Sequence, residues 1–249
     1  MSNVIETGGI DVVILCGGLG KRLRPIVNDR PKAMAEINNR PFLDILIEHA
    51  HRFGLKRFIL CIGYLGNVIK QYYQNKKPDY EIIFSEEKKL LGTAGAVKNA
   101  EALIRSSPFL VMNGDSFCPL DLRAFIHFHS TKKSELSLAL IPMAKHNHNL
   151  DGVATLDDSD RIVAFAEKAK RKHGFFNTGV YLFDRSALSQ IPHDTMYSLE
   201  YDLFPSLIGR DFYGFVAKTH CIDIGTPEGY LVAQQRLHKR IIRVKLKNR

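Results

Sequence analysis

The chain has 249 residues, of which 45% are hydrophobic and 24% are charged. This length suits one large α/β domain, and this composition excludes disordered, collagen-like and coiled-coil proteins. No apolar run approaches the roughly 18 residues of a membrane span, and the N-terminal segment lacks an export-signal pattern. The cysteines are scattered without a CxxC pair, which is typical of reduced thiols, so we expect a cytoplasmic protein without zinc.

The formal net charge of +9 is concentrated at the C-terminus. Seven Lys and Arg residues and no acid lie within 236–249, and the other 235 residues hold 28 basic and 26 acidic side chains. This nearly neutral body gives no sign of nucleic-acid binding. The basic tail could contact an acidic partner or a membrane surface, but such runs are more often solvated ends.

Short β-rich segments alternate with helical patterns along the first half of the chain. The sequence predicts strands over 11–15, 57–63, 81–85 and 108–115, and helices over 41–54, 66–74 and 93–104. Later strands follow closely, over 135–143, 152–158, 161–167 and 176–184. This order predicts an α/β, Rossmann-like three-layer α/β/α fold with a mixed, mainly parallel central sheet.

A glycine-rich loop, CGGLGKRLRP over 16–25, follows the first predicted strand. Gly17, Gly18 and Gly20 allow the backbone N–H groups to approach a phosphate, and Lys21 and Arg22 add positive charge. A tight turn without a ligand is the alternative interpretation of the glycines alone. The basic side chains favour a phosphate site.

The loop differs from two better-known phosphate-binding motifs. Leu15 occupies the first glycine position of a Walker A motif, and Leu23 replaces the third glycine of the dinucleotide fingerprint. Ten residues past Arg22, Lys32 follows a proline that stiffens the chain. Arg22 and Lys32 together could neutralise a triphosphate.

The run GGLGKRLRP over 17–25, followed by PK at 31–32, resembles the signature of the sugar-1-phosphate nucleotidylyltransferases. The resemblance implies an Mg²⁺-dependent enzyme that transfers a nucleoside monophosphate from a nucleoside triphosphate to a sugar 1-phosphate and releases pyrophosphate. It implies one domain over 1–249, with a mainly nucleotide-binding half over 10–135, a mainly sugar-phosphate-binding half over 136–233 and the basic tail over 234–249. The implied nucleotide-binding residues are Leu15, Gly17, Gly18, Gly20, Lys21, Glu86, Glu87, Gly92, Thr93, Asn113 and Gly114.

The segment EEKKLLGTAG over 86–95 opens the third predicted helix. In the family, the similar segment borders the nucleobase, and this version is closest to the mannose-1-phosphate guanylyltransferases. A carboxylate at Glu86 or Glu87 would accept from guanine N1–H and the 2-amino group and would reject uracil or thymine. An exposed pair at a helix end is the alternative interpretation.

Two aspartates are candidate metal ligands. Asp115 ends the NGD segment after a hydrophobic strand, and Asp223 lies in CIDIGTP over 221–227. Carboxylates at the carboxyl ends of separate strands, facing a triphosphate, suit Mg²⁺, although each alone could cap a turn or helix. Both match the metal-binding positions of the family.

The later motifs resemble the family's sugar-phosphate site. FAEK over 165–168 resembles F-x-E-K, in which the Glu contacts sugar hydroxyls and the Lys binds the sugar phosphate, although Ala169 replaces a frequent proline. SLEYDLFP over 198–205 resembles a mannose-type helix and makes Glu200 a candidate sugar contact. The implied catalytic residues are Arg22, Lys32 and Lys168. The implied sugar-phosphate-binding residues are Gly152, Glu167, Lys168, Asn177, Thr178 and Gly179.

The histidines show no metal-ligand spacing. Those in polar stretches are interpreted as surface residues, namely His127, His129, His146, His148 and His173.

The resemblance is best to short guanylyltransferases acting on D-glycero-D-manno-heptose 1-phosphate, whose GDP-sugar products usually feed surface polysaccharides. One alternative is a uridylyl- or thymidylyltransferase acting on a hexose or amino-sugar 1-phosphate. Another is a non-catalytic sugar-nucleotide sensor that contacts a partner through the basic tail. A homodimer is compatible with the sequence, but no pattern indicates one.

Overall fold

A computed structural model describes residues 7–143, 152–167 and 173–247. The α-helices are α1 (Phe42–His51), α2 (Gly66–Gln74), α3 (Gly92–Asn99), α4 (Leu122–Lys132), α5 (Phe204–Ser206) and α6 (Pro227–Lys247). The strands are β1 (Asp11–Leu15), β2 (Glu36–Ile37), β3 (Arg40–Pro41), β4 (Arg57–Ile62), β5 (Glu81–Glu86), β6 (Phe109–Asn113), β7 (Ser116–Phe117), β8 (Leu136–Pro142), β9 (Val153–Leu156), β10 (Ile162–Ala166), β11 (Phe175–Phe183), β12 (Phe212–Val216) and β13 (Ile222–Asp223).

Within the described residues, nine strands form one sheet. Its order is β10-β9-β11-β6-β1-β4-β5, with β8 beside β11 and β12 beside β8. β1 pairs in parallel with β4 and β6, whereas β11 runs antiparallel to β6, β8 and β9. Only β10 and β11 therefore run against the other described strands of this sheet. The predicted Rossmann-like fold with a mixed, mainly parallel sheet is confirmed.

The central strands are apolar because helical layers cover both faces of the sheet. Val12 and Ile14 of β1 pack in one core with side chains of α1, α2 and α4, while Val13 packs in a second core with α3. Successive side chains of a strand point to opposite faces, so one continuous apolar run serves both cores. This arrangement leaves the carboxyl ends of β1 and β6 open for the loops that carry the motifs.

Several elements of the structure have no counterpart in the predicted order, including α4, α6 and the two-residue strand β7. Strands of two residues are too short to show an alternating pattern. α6 extends through most of the segment that was predicted as a basic tail. Among the described residues, none of the helices combines the length and apolar character that crossing a bilayer requires.

The surface interpretation of His129 was wrong. Its side chain is only 3% exposed, and its Nδ1 atom lies 2.9 Å from Ser137 Oγ. His129 lies seven residues past Leu122 on the buried face of α4, at helical spacing. Burial lowers its pKa to about 4, so the ring is neutral near pH 7. His127 and His173 are exposed as expected, and His146 and His148 lie outside the described residues.

Candidate active site

Two neighbouring cavities open where β1 and β6 end, the usual position of ligands in open α/β sheets. We call the first, with a volume of about 250 Å³, the nucleotide-side cavity. The predicted nucleotide-binding residues that line it are Leu15, Gly17, Gly18, Glu87, Gly92, Thr93, Asn113 and Gly114. Gly20, Lys21 and Glu86 do not line it.

Glycines after β1 and β6 permit close approaches at the wall of the nucleotide-side cavity. A Cβ atom at Gly17 would lie 2.5 Å from Glu87 Oε1, and one at Gly114 would lie 2.5 Å from the Leu15 carbonyl oxygen. Gly20 has a φ of +61°, in the left-handed region that favours glycine. Larger residues at Gly17 or Gly114 would therefore push apart the walls of the nucleotide-side cavity.

The two adjacent glutamates occupy different environments. Glu87 is half-buried and lines the cavity, and its Oε2 accepts a hydrogen bond of 3.3 Å from the Leu91 N–H. Burial raises the pKa of the Glu87 carboxyl. Glu86 is exposed and forms an ion pair of 2.7 Å with Lys70. Of the two glutamates, only Glu87 can meet a ligand in this cavity.

Lys32 and the two aspartates form a charged cluster. Lys32 Nζ donates a hydrogen bond to Asp115 Oδ2. Burial raises the pKa of Asp115, but the charge and hydrogen bond of Lys32 outweigh this effect and lower the net pKa. For Asp223, burial and the charge of Asp115 raise the pKa, against the opposing effect of the Gly225 N–H.

The short strands β7 and β13 bring the aspartates together. They pair antiparallel, with Asp223 opposite Ser116, and the Ile224 N–H donates to the Asp115 carbonyl oxygen at 2.9 Å. The two carboxylates consequently repel each other inside a partly buried site. A bound cation would relieve this repulsion.

The donor set fits a magnesium ion. Two carboxylates supply hard oxygen ligands, and Mg²⁺ commonly keeps waters and substrate phosphate oxygens in its other positions. Among residues 7–143, 152–167 and 173–247, no group of three or more His, Cys, Asp or Glu side chains could hold a metal. A site made only of protein ligands is therefore absent from this part of the chain, whereas a site shared with phosphates fits.

The second cavity, which we call the acceptor-side cavity, has a volume of about 130 Å³ and mostly polar walls. Asn113 and Asp115 line both cavities. The predicted residues that line the acceptor-side cavity are Arg22, Glu167, Asn177, Thr178, Gly179, Glu200 and Asp223. Lys168 lies outside the described residues.

Gly152 supports the acceptor-side cavity without lining it. Its N–H donates to the Glu167 carbonyl oxygen at 3.0 Å, and its own carbonyl oxygen accepts from the Asn177 N–H at 2.8 Å. With a φ of +79°, Gly152 adopts a conformation that other residues rarely adopt. The Thr178 hydroxyl donates its one proton to the Ala139 carbonyl oxygen at 2.8 Å, so it can only accept a hydrogen bond from a ligand.

Some lining residues were not predicted. They are Cys16, Ala33, Leu90 and Ala96 in the nucleotide-side cavity, and Ser116, Cys221 and Ile222 in the acceptor-side cavity. Most are chain neighbours of predicted residues, and Cys16 and Cys221 lie within the CGGLGKRLRP and CIDIGTP segments. Proximity to a motif is the only signal that could have identified them.

The glycine loop, the paired aspartates and the two joined cavities define a nucleotidyl-transfer site. The family model described as nucleotidyl transferase matches residues 11–240, and the chain belongs to this family.

The relatives are similar over almost their whole length. The D-glycero-alpha-D-manno-heptose 1-phosphate guanylyltransferase of Aneurinibacillus thermoaerophilus is 36% identical over 229 residues, covering 92% of this chain and 98% of the relative. The enzyme of the same name from Campylobacter jejuni is 34% identical, over 89% of this chain and 97% of the relative. A crystal structure of HddC from Yersinia pseudotuberculosis complexed with GMP-PN is 34% identical, with a TM-score of 0.80 over 92% of this chain and 99% of that one.

Proposed function

We propose that this protein transfers GMP from GTP to D-glycero-D-manno-heptose 1-phosphate, giving a GDP-sugar and pyrophosphate. The single observation that carries the proposal is the junction of the two cavities at Asn113 and Asp115. A nucleotide and a second phosphate-bearing substrate can meet there, beside Lys32 and Asp223. The activity in the names of the two guanylyltransferase relatives, and the GMP-PN bound to HddC, support this base and this sugar.

The reaction we propose needs no covalent enzyme intermediate. A phosphate oxygen of the sugar 1-phosphate attacks the α-phosphorus of GTP in line, and pyrophosphate leaves. Lys32 and Arg22 bind the triphosphate oxygens, the first as a point charge and the second as a planar fork. Lys168 binds the attacking phosphate. Positioning and charge neutralisation then supply most of the rate.

Asp115 and Asp223 would hold Mg²⁺, which neutralises phosphate charge when bound. Both carboxylates must be ionised to serve as ligands. Lys32 keeps the pKa of Asp115 low, whereas the charge of Asp115 keeps the pKa of Asp223 high. Asp223 is therefore the ligand whose protonation limits the site as the pH falls.

Glu87 is the residue to which we assign guanine recognition. Its carboxylate lines the nucleotide-side cavity and packs between Gly17 and Gly63, where a Cβ atom at either glycine would lie within 2.5 Å of Glu87 Oε1. A carboxylate accepts two N–H bonds from the guanine edge, whereas uracil and thymine present a carbonyl there. Glu86, held by Lys70 outside the cavity, takes no part in this assignment.

The test is pyrophosphate release with Mg²⁺ over a grid of substrates. GTP, UTP, dTTP, CTP and ATP are each combined with the 1-phosphates of manno-heptose, mannose, glucose and N-acetylglucosamine. We expect turnover with GTP and manno-heptose 1-phosphate. Turnover with UTP or dTTP alone would overturn the assignment of the base and leave the transferase class intact. A folded protein that binds a sugar nucleotide but releases no pyrophosphate would be a sensor.

A further inference from the structure

The segment after residue 196 is hydrogen-bonded to the start of α3. Leu199–Leu203 forms a wide π-helical turn, a feature that often marks a functional site. Ser198 Oγ caps this turn by accepting hydrogen bonds from the Glu200 N–H at 3.1 Å and the Tyr201 N–H at 3.2 Å. The Tyr197 carbonyl oxygen accepts two backbone N–H bonds from α3, each 3.0 Å long. The position of this turn is therefore set from both ends.

The hydroxyl of Thr93 is engaged entirely with this turn, although Thr93 lines the nucleotide-side cavity. Its Oγ1 donates to Glu200 Oε2 at 2.8 Å and accepts from the Leu199 N–H at 2.8 Å. A threonine hydroxyl has one proton to donate. That proton is used on Glu200, so none remains for a nucleotide oxygen.

Glu200 is held by one of its two carboxylate oxygens. Its Oε2 accepts from both Thr93 Oγ1 and Ser198 Oγ, the latter at 2.9 Å. Within the part of the chain that the structure describes, Oε1 receives no hydrogen bond. Glu200 and Glu167 both line the acceptor-side cavity, and both raise the pKa of the buried Tyr181, after the larger effect of burial itself. Asp115 and Asp223 line this cavity as well and are assigned to the metal, whereas a carboxylate such as Glu200 can accept hydrogen bonds from hydroxyl groups.

We infer that Thr93 is a positioning residue for the sugar 1-phosphate: with Ser198 it fixes Glu200 so that Oε1 accepts a hydrogen bond from a sugar hydroxyl. This inference rests on the proposed function and reassigns Thr93 from the nucleotide to the acceptor substrate. It also explains a threonine at this position, because only a hydroxyl can donate to Glu200 and accept from Leu199 in the same place.

The first test compares Thr93→Val with Thr93→Ser. Valine keeps the shape of the side chain and removes the hydroxyl, so we expect the KM for manno-heptose 1-phosphate to rise about tenfold, the effect of losing one hydrogen bond to a charged group. The KM for GTP should change little, the thermal midpoint should fall by a few degrees because the Leu199 N–H loses its acceptor, and Thr93→Ser should restore the wild-type KM and midpoint. The matched control is Thr195→Val, because Thr195 is exposed just before this segment and its hydroxyl donates to the His193 carbonyl oxygen.

The second test is a double-mutant cycle with Glu200→Ala. If Thr93 acts through Glu200, adding Thr93→Val to that variant raises the sugar-phosphate KM by less than twofold. Calorimetric binding of manno-heptose 1-phosphate supplies a readout without turnover. An increase in the KM for GTP alone, or additive effects in the cycle, would overturn the inference. A wild-type protein without transferase activity would instead refute the proposed function.

Discussion

Glu87→Gln is the substitution that tests base recognition most directly. It replaces one carboxylate oxygen with an N–H₂ group and keeps the shape of the side chain. Glu87 is packed so tightly that a Cβ atom at Gly17 would lie 2.5 Å from its Oε1, so the replacement has little freedom to turn away. The amide oxygen can still accept the hydrogen bond that the Leu91 N–H donates to Glu87 Oε2 in the wild type, at 3.3 Å.

The expected magnitude follows from the hydrogen bonds that change. A carboxylate accepts from both guanine donors, and hydrogen bonds to a charged group contribute about 1.5–3 kcal/mol each. The amide keeps one acceptor and turns an N–H₂ group toward a guanine N–H, so one charged bond is lost and one donor is left unpaired. We expect a loss of about 2–3 kcal/mol, which is roughly 30- to 150-fold in kcat/KM for GTP.

The assay is kcat/KM for pyrophosphate release with GTP and with UTP, at a fixed concentration of the sugar 1-phosphate. The GTP-to-UTP ratio should fall in Glu87→Gln, because an amide can pair with the uracil edge. Glu86→Gln is the matched control, since Glu86 is the exposed neighbour that pairs with Lys70, and its ratio should equal that of the wild type. An unchanged ratio in Glu87→Gln, or an equal fall in Glu86→Gln, would refute the reasoning.

Lys32→Ala should fold normally and lose about 10²–10³ in kcat, as when other positioned charged groups are removed; a wild-type kcat would contradict its role. Asp223→Asn should lose turnover yet unfold at a higher temperature without metal at pH 7. Its raised folded pKa means that the ionised carboxylate costs stability above that pKa, so an unchanged or lower midpoint would contradict this account. The depressed folded pKa of His129, about 4, predicts that stability is lost as the pH falls from about 6.5 toward 4, by about 3 kcal/mol in total. His129→Gln should show less of this loss in unfolding titrations.

Most of the sheet could be predicted because its strands are buried on both faces. The run DVVIL at 11–15 has no polar interruption after its first residue, and the structure has a strand over the same residues. α2 likewise begins at Gly66 and ends at Gln74 as its sequence pattern predicts. In these segments, local composition and tertiary burial favour the same structure.

The site was harder to predict because it depends on contacts between distant parts of the chain. Asp115 and Asp223 were identified one by one, but their meeting depends on β7 and β13, two-residue strands that begin 106 positions apart, at Ser116 and Ile222. Which of Glu86 and Glu87 lines the cavity depends on the path of the chain where β5 ends. The burial of His129 depends on which face of α4 packs against β8. None of these is a property of neighbouring residues.

The contact between Lys32 and Asp115 links phosphate binding to the ionisation of the two proposed metal ligands. Lys32 binds phosphate in our proposal, but its charge also lowers the pKa of Asp115 and opposes the rise at Asp223. Removing that charge should raise both carboxyl pKa values, so the acid limb of the Lys32→Ala rate profile should lie at higher pH than that of the wild type. Lys32→Arg keeps the positive charge and alters the shape, so its acid limb should stay in place while kcat falls. A shared acid limb in all three proteins would mean that Lys32 acts on the phosphates alone.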